Sequence, residues 1–257
     1  MKKIILFFIM IILVIAIIVN RPIKSNNILY SWNMETLTDD NLIKTIKKFG
    51  IKTLYQDFNS NYLNGDDNEF IKKMNDINVD VYHLTGDPSW AYNSEKLKKE
   101  IDKVLTYNQK NEFKIKGIVF DIEPYYKDKE NFDFKEFVNT MKIAYEYAHN
   151  NDLYMINAIP VWFENYSSQL LEALIHYGSD EVSLMNYSIK NTIPNIKNEI
   201  AFAKKYNKNI NTIYEINFGN SGYFESYEAI DDDFKKIKKE YNYDKLRKAY
   251  HHYGKME

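Results

Sequence analysis

The chain predicts an α/β protein: a (β/α)8 TIM barrel, without a clear last helix, preceded by an N-terminal transmembrane helix. Three observations predict it. From residue 28 onward, short apolar runs alternate with amphipathic stretches, and strand–helix alternation builds parallel strands with crossover helices. Eight such runs fall within residues 23–257, close to the ~250 residues usual for this barrel and above its ~200-residue lower bound. No Gly-x-Gly-x-x-Gly or P-loop follows any run, which argues against an open nucleotide-binding sheet.

Residues 1–22 read as a signal-anchor or transmembrane segment. Lys2 and Lys3 precede an uninterrupted apolar run, Ile4–Val19, and Asn20, Arg21 and Pro22 follow it. A charged start before an apolar core is an export signal. The run has no polar face, so it does not suit a helix of a soluble domain. No small-x-small cleavage site follows, so the segment is expected to stay attached, with Lys2 and Lys3 inside and the domain on the extracytoplasmic side of a cell membrane. Cleavage would instead release a secreted domain.

Residues 23–257 form the barrel domain. Its expected strands are Ile28–Asn33, Lys52–Phe58, Asp80–Thr85, Lys116–Glu123, Tyr154–Pro160, Glu181–Tyr187, Asn211–Asn217 and Leu246–Tyr253. Helical spacing joins Leu97, Ile101, Val104 and Leu105; then Phe134, Phe137, Val138, Met141, Tyr145 and Ala148. It also joins Leu170, Leu171, Leu174 and Ile175, and Tyr227, Ile230, Phe234, Ile237 and Tyr241. Gly50 after a basic turn and Gly178 after His176 read as helix stops. No pattern for an eighth helix follows the last strand.

Composition narrows the chemistry. Lys+Arg at 34 and Asp+Glu at 36 nearly cancel, with no block of like charge; this speaks against a nucleic-acid partner and against a basic membrane-surface patch. Cysteine is absent, which excludes disulfides, thiolate metal sites, a cysteine nucleophile and a lipid-modified N-terminal Cys. No Gly-x-Ser-x-Gly elbow supports Ser-His-Asp chemistry.

Barrel sites lie at the C-terminal strand ends. Those ends gather Trp32, Asp57, His83, Asp121, Glu123, Tyr125, Asn157, Asn186, Tyr187, Glu215, Asn217 and His251. Alternation places Val119, Asp121 and Glu123 on one face of the fourth strand and Ile118, Phe120 and Ile122 on the other. Three large apolar residues belong under the helices, so the two carboxyls point into the mouth. In the seventh strand the same parity sends Tyr214, Ile216 and Phe218 outward and Glu215 and Asn217 inward. Adjacent carboxyls raise the pKa of one of them and keep it protonated as a general acid. Glycosidic cleavage needs such an acid and a second group at the oxocarbenium-like centre. Trp32, Trp90, Tyr125 and Trp162 offer flat apolar surfaces for sugar rings. The expected partner is a carbohydrate polymer or oligosaccharide; no cofactor and no metal are expected.

Gly117-Ile118-Val119-Phe120-Asp121-Ile122-Glu123 resembles the fourth strand of the chitinase-like barrels, glycoside hydrolase family 18, where a Gly opens the strand and Asp-x-Glu closes it. Met185-Asn186-Tyr187 resembles that family's sixth-strand Met-x-Tyr. The resemblance implies a substrate-assisted mechanism in which Glu123 protonates the leaving oxygen while Asp121 and Tyr187 orient the substrate's acetamido group as nucleophile. Lys116 and Val119 stand where the family has further acids, and Ser188 replaces the usual Asp. Glu123-Pro124 with Glu215 resembles a second group, the retaining glycosidases with an acid on the fourth strand and a nucleophilic Glu on the seventh, although Ile122 replaces the Asn usual there. A non-catalytic glycan-binding barrel is the rival from another class. A metal-dependent hydrolase drawing on His83, Asp87, Asp57 and His251 is the third reading, and no spacing among them matches a metal motif.

Overall fold

The structure, a computed structural model, describes residues 26–58, 65–126 and 131–256. The expected anchor, residues 1–22, lies outside them; among the described residues no helix is long and apolar enough to cross a membrane.

Eight strands close into a barrel in chain order, each parallel to its neighbours. They are β1 (Asn27–Ser31), β2 (Ile51–Gln56), β3 (Asp80–Thr85), β4 (Gly117–Asp121), β5 (Tyr154–Pro160), β6 (Glu181–Met185), β7 (Asn209–Glu215) and β8 (Leu246–His251). Helices α1 (Asn41–Phe49), α2 (Gly65–Asp76), α3 (Ser94–Lys110), α4 (Phe134–Asn150), α5 (Ser168–Tyr177), α6 (Lys197–Lys205) and α7 (Tyr227–Tyr241) fill the crossovers. After β8 only a 3-10 turn, Tyr253–Lys255, follows among the described residues. The third and fifth strands keep their expected bounds; the others end two residues short of the polar runs assigned to them, because the last residues curl into the loops of the mouth.

Local chemistry explains the helix ends. Asn93, Asp133, Ser167 and Ser226 each accept a backbone N–H of the first turn of the helix that follows, which satisfies an otherwise orphaned donor. Gly50 ends α1 in the left-handed region, φ 60, where a side chain would be strained. At Gly117 an added Cβ would lie 2.3 Å from the Tyr154 carbonyl oxygen, so only glycine lets β4 start flush against β5.

Two cores result. Between barrel and helices, Ile118, Phe120 and Ile122 pack with the inward faces of α3 and α4. Inside the barrel, Tyr30, Tyr55, Leu84, Val119, Ile156, Ile213 and Ala249 form a buried, largely apolar middle layer. Below it lies a buried polar layer. Arg247 reaches the fully buried Glu181 at 2.5 Å and Thr53 at 3.2 Å. Asn211 donates to Glu181 at 2.7 Å, and the Tyr154 hydroxyl donates to the same carboxylate at 3.2 Å. A buried charge is tolerated only with partners of this kind.

Candidate active site

The mouth is built from the strand ends in the way alternation dictates. Val119 belongs to the inner core and Ile118, Phe120 and Ile122 to the outer one, so Asp121 and Glu123 continue Val119's inward face at the C-terminal end of the barrel. Gly86 at the end of β3 makes room: a Cβ there would lie 1.8 Å from the Asp121 carbonyl oxygen.

Asp121 is the most perturbed acid of the mouth. Burial, and secondarily the Glu123 charge, push its carboxyl up to about 7. Its Oδ1 atom is buried with no hydrogen-bond partner, an uncommon state for a carboxylate oxygen. Glu123 is half-buried and also shifted upward by burial, an effect the Tyr125 hydroxyl offsets by donating to Oε2 at 3.1 Å, with His251 nearby. Tyr125 also lies 3.8 Å from Met185 Sδ. Burial, then the Asp121 charge, raise the Tyr187 hydroxyl well above its ordinary range.

Glu215 faces a different environment. His251 and Lys255 together pull its carboxyl down to about 2, against the opposing effect of burial. Lys255 Nζ is the closer partner; His251 Nδ1 stands 3.5 Å from Oε2. Trp32 Nε1 donates to His251 Nε2 at 3.3 Å, and the Tyr187 and His251 rings lie 5.6 Å apart. The mouth therefore has two acids with upward-shifted pKa values on β4 and one held ionised on β7. Environments that push carboxyls apart in this way separate an acid from a charge-bearing group.

Several expected site residues lie elsewhere. Leu84 fills the inner core, so His83 points outward, buried beside Phe58, and burial pulls its imidazole down to about 4. Asn157 likewise faces outward and donates to Gly178 O at 2.9 Å, bracing β5 to the end of α5. Asn186 is buried and donates to Thr192 O at 2.8 Å, holding the loop after β6. Asp87 accepts the Ser89 N–H at 2.7 Å, which caps a 3-10 turn. Trp90 packs against the outer core. Since His83 points away from His251, the metal reading loses its ligand set; among the described residues no group of three His, Asp or Glu side chains could hold a metal.

Others stay at the rim. Trp162 packs edge-on to Tyr125 with ring centres 4.6 Å apart, in a cluster with Phe163 and Tyr166. Asp57 and Asn217 are half-buried just past β2 and β7, each tied through its backbone N–H, to Ser31 O and Phe224 O respectively. Phe218 turns out to solvent, 72% exposed. Lys255 and Met185 were not anticipated as site residues. Met185 shares Tyr187's parity, a signal already in the sequence; Lys255 lies beyond the last strand, and no periodicity announces it.

No protein-family model matches the chain, and no curated protein matches it in sequence. Solved structures do. A protein assigned as an α-L-fucosidase from Bacteroides thetaiotaomicron superposes with a TM-score of 0.63 at 13% identity, covering 90% of this chain and 86% of its own. A β-1,3-glucanosyltransferase from Rhizomucor miehei, in complex with laminaritriose, gives 0.55 at 13%, covering 88% and 86%. A catalytic domain of a Group II chitinase from Ostrinia furnacalis, in complex with an N-acetylchitooligosaccharide, gives 0.50 at 13%, covering 78% and 68%. At such identity these likenesses establish the fold: the chain has the eight-stranded parallel barrel that those proteins share.

Proposed function

We propose that the chain is a glycoside hydrolase acting on an N-acetylated or cell-envelope glycan, with Glu123 as general acid and Asp121 and Tyr187 positioning the substrate's acetamido group. One observation carries this reading: Asp121 and Glu123 project together into the mouth, both shifted upward by burial, with Asp121 at about 7. A structural barrel has no use for an unpartnered buried carboxyl oxygen at its open end. A substrate amide N–H would satisfy that oxygen, which is what orienting an acetamido group requires. Barrels that carry glycan chemistry among the structural neighbours support the reading by analogy. The extracytoplasmic tether read from residues 1–22 makes an envelope polymer the natural substrate.

Glu215 as a covalent nucleophile is the second reading, favoured by its being held ionised. Against it, the Lys255 ammonium pairs with Oε1 and lowers the carboxylate's nucleophilicity. The test is Glu123→Gln assayed on peptidoglycan and chitin oligosaccharides. The variant should lose hydrolysis by roughly 100-fold or more, the scale of a lost general acid, while still binding. Saturable binding with no turnover in either form would make the protein a lectin and overturn the proposal.

A further inference from the structure

The opposite end of the barrel holds a second feature. A groove of about 1080 Å³ runs along the β8–β1 seam between α1 and α7, where no helix lies among the described residues. Phe49, Tyr227 and Tyr250, with ring centres 4.5–5.9 Å apart, close the seam along part of its length. The groove is rimmed by Lys47, Lys48, Lys235, Lys238, Lys245 and Lys248, against Asp231 and Asp244. Lys248 pairs with Asp231, and Lys235 with Asp232. Lys238 and Lys245 donate to backbone carbonyls, acceptors that carry no formal charge, and Asp244 lies near Lys238. Lys47 and Lys48 are exposed on the last turn of α1. The result is a cationic surface assembled from segments far apart in the chain.

Asn26, the first described residue, lines this groove. The expected membrane segment ends at Val19, so the intervening chain reaches at most about 25 Å fully extended, at ~3.3–3.6 Å per residue. If Ile4–Val19 spans a bilayer, Asn26 cannot leave its surface by more than that reach, which keeps the groove it lines near the headgroups and makes docking effectively intramolecular. We propose that this groove docks on anionic phospholipid headgroups of the membrane carrying the chain, which turns the acidic mouth at the other strand ends away from the bilayer. The proposal rests on the tether reading and is independent of the chemistry proposed for the mouth. Basic side chains near an anionic surface attract it strongly, and salt within a Debye length of about 8–10 Å screens the attraction.

The protein has no cysteine, so Glu240→Cys on exposed α7 gives one labelling site. The full chain, reconstituted into vesicles with headgroup-labelled lipid, should show energy transfer that is higher with phosphatidylglycerol than with pure phosphatidylcholine. High salt should abolish the difference. Combining Lys47→Gln, Lys48→Gln and Lys245→Gln should weaken docking by roughly 100-fold, on the scale expected for three basic residues at an anionic surface. Equal transfer on both vesicles, unmoved by salt or by the triple variant, overturns the docking. A chain washed off the vesicles by alkaline carbonate overturns the tether as well as the docking, whereas the glycan assay is unaffected by either result.

Discussion

Replacing Asp121 by Asn should make the protein more stable at neutral and alkaline pH while disabling the proposed site. The side chain keeps its shape, loses its charge and exchanges one acceptor oxygen for an N–H2 donor. In the folded protein the Asp121 carboxyl titrates at about 7 against an ordinary 3.8. Between those values the folded state holds a proton that the unfolded chain has released, so stability falls as pH rises through that window. At ~1.4 kcal/mol per pH unit, the full interval corresponds to about 4 kcal/mol above pH 7. Water reaches part of Asp121, and a discounted range of roughly 2–4 kcal/mol is the better expectation. For a domain of this size 1 kcal/mol moves Tm by ~2–4 °C, so the variant should melt about 4–16 °C above the wild type at pH 8. Near pH 4 the gap should shrink to whatever constant offset Asn brings. Melting curves of both proteins from pH 4 to 9 decide it. Parallel curves across that range would show that Asp121 titrates normally, and the account of the mouth would fail with it.

Further outcomes follow from the same geometry. Glu215→Ala should retain turnover of an N-acetylated substrate in a chromogenic assay, because the reacting nucleophile is the substrate's own amide; complete loss, rescued by azide, would instead identify Glu215 as the nucleophile. Gly86→Ala should push the end of β4 away from β3, since its Cβ would meet the Asp121 carbonyl oxygen. The cost should be about 1–3 kcal/mol in urea unfolding, the range for overpacking, with activity falling further than stability. Trp32→Phe keeps the ring but loses the N–H to His251. It should lower kcat/KM by roughly 10-fold, the scale of one hydrogen bond of about 1 kcal/mol plus a misplaced imidazole; unchanged kinetics would remove Trp32 and His251 from the site.

The barrel is legible in the sequence because two periods alternate along most of it; the last strand is the faintest of the eight, α1 is marked only by its Gly50 stop, and no stated pattern marks α2 or α6. Glycines at 50 and 178 stop their helices where expected, and Asp121 and Glu123 face inward because Ile118, Phe120 and Ile122 must face outward. Parity was informative where it was applied. Applied also to β3 and β5, it would have turned His83 and Asn157 outward, since Leu84, Ile156 and Ala158 claim the interior. The same rule in the sixth strand, with Met185 and Tyr187 facing inward, would have turned Asn186 outward, where it donates to Thr192 O. Lys255 meets Glu215 only through the pairing of β7 with β8, which sets Glu215 beside His251 and brings together residues 40 positions apart. The lysine groove escapes a reading of the sequence for a related reason: the chain has no long block of like charge, and folding collects Lys47, Lys48 and Lys245 from opposite ends of it.

The vertical order of the barrel interior has an electrostatic consequence. Arg247, the cation enclosed within the strands, sits at the floor with Glu181, while the acids sit at the opposite rim. Along β4 the step from Gly117 to Asp121 is four residues, about 13 Å at ~3.3 Å each. Across that distance an interior charge pair is worth about 1 kcal/mol at an effective dielectric near 20, and half the distance would double it. Tyrosines, valine and isoleucines thus act as an insulating spacer. Move the guanidinium one layer higher and it would draw the proton off Asp121, leaving a permanent anion where the proposed chemistry calls for an exchangeable hydrogen.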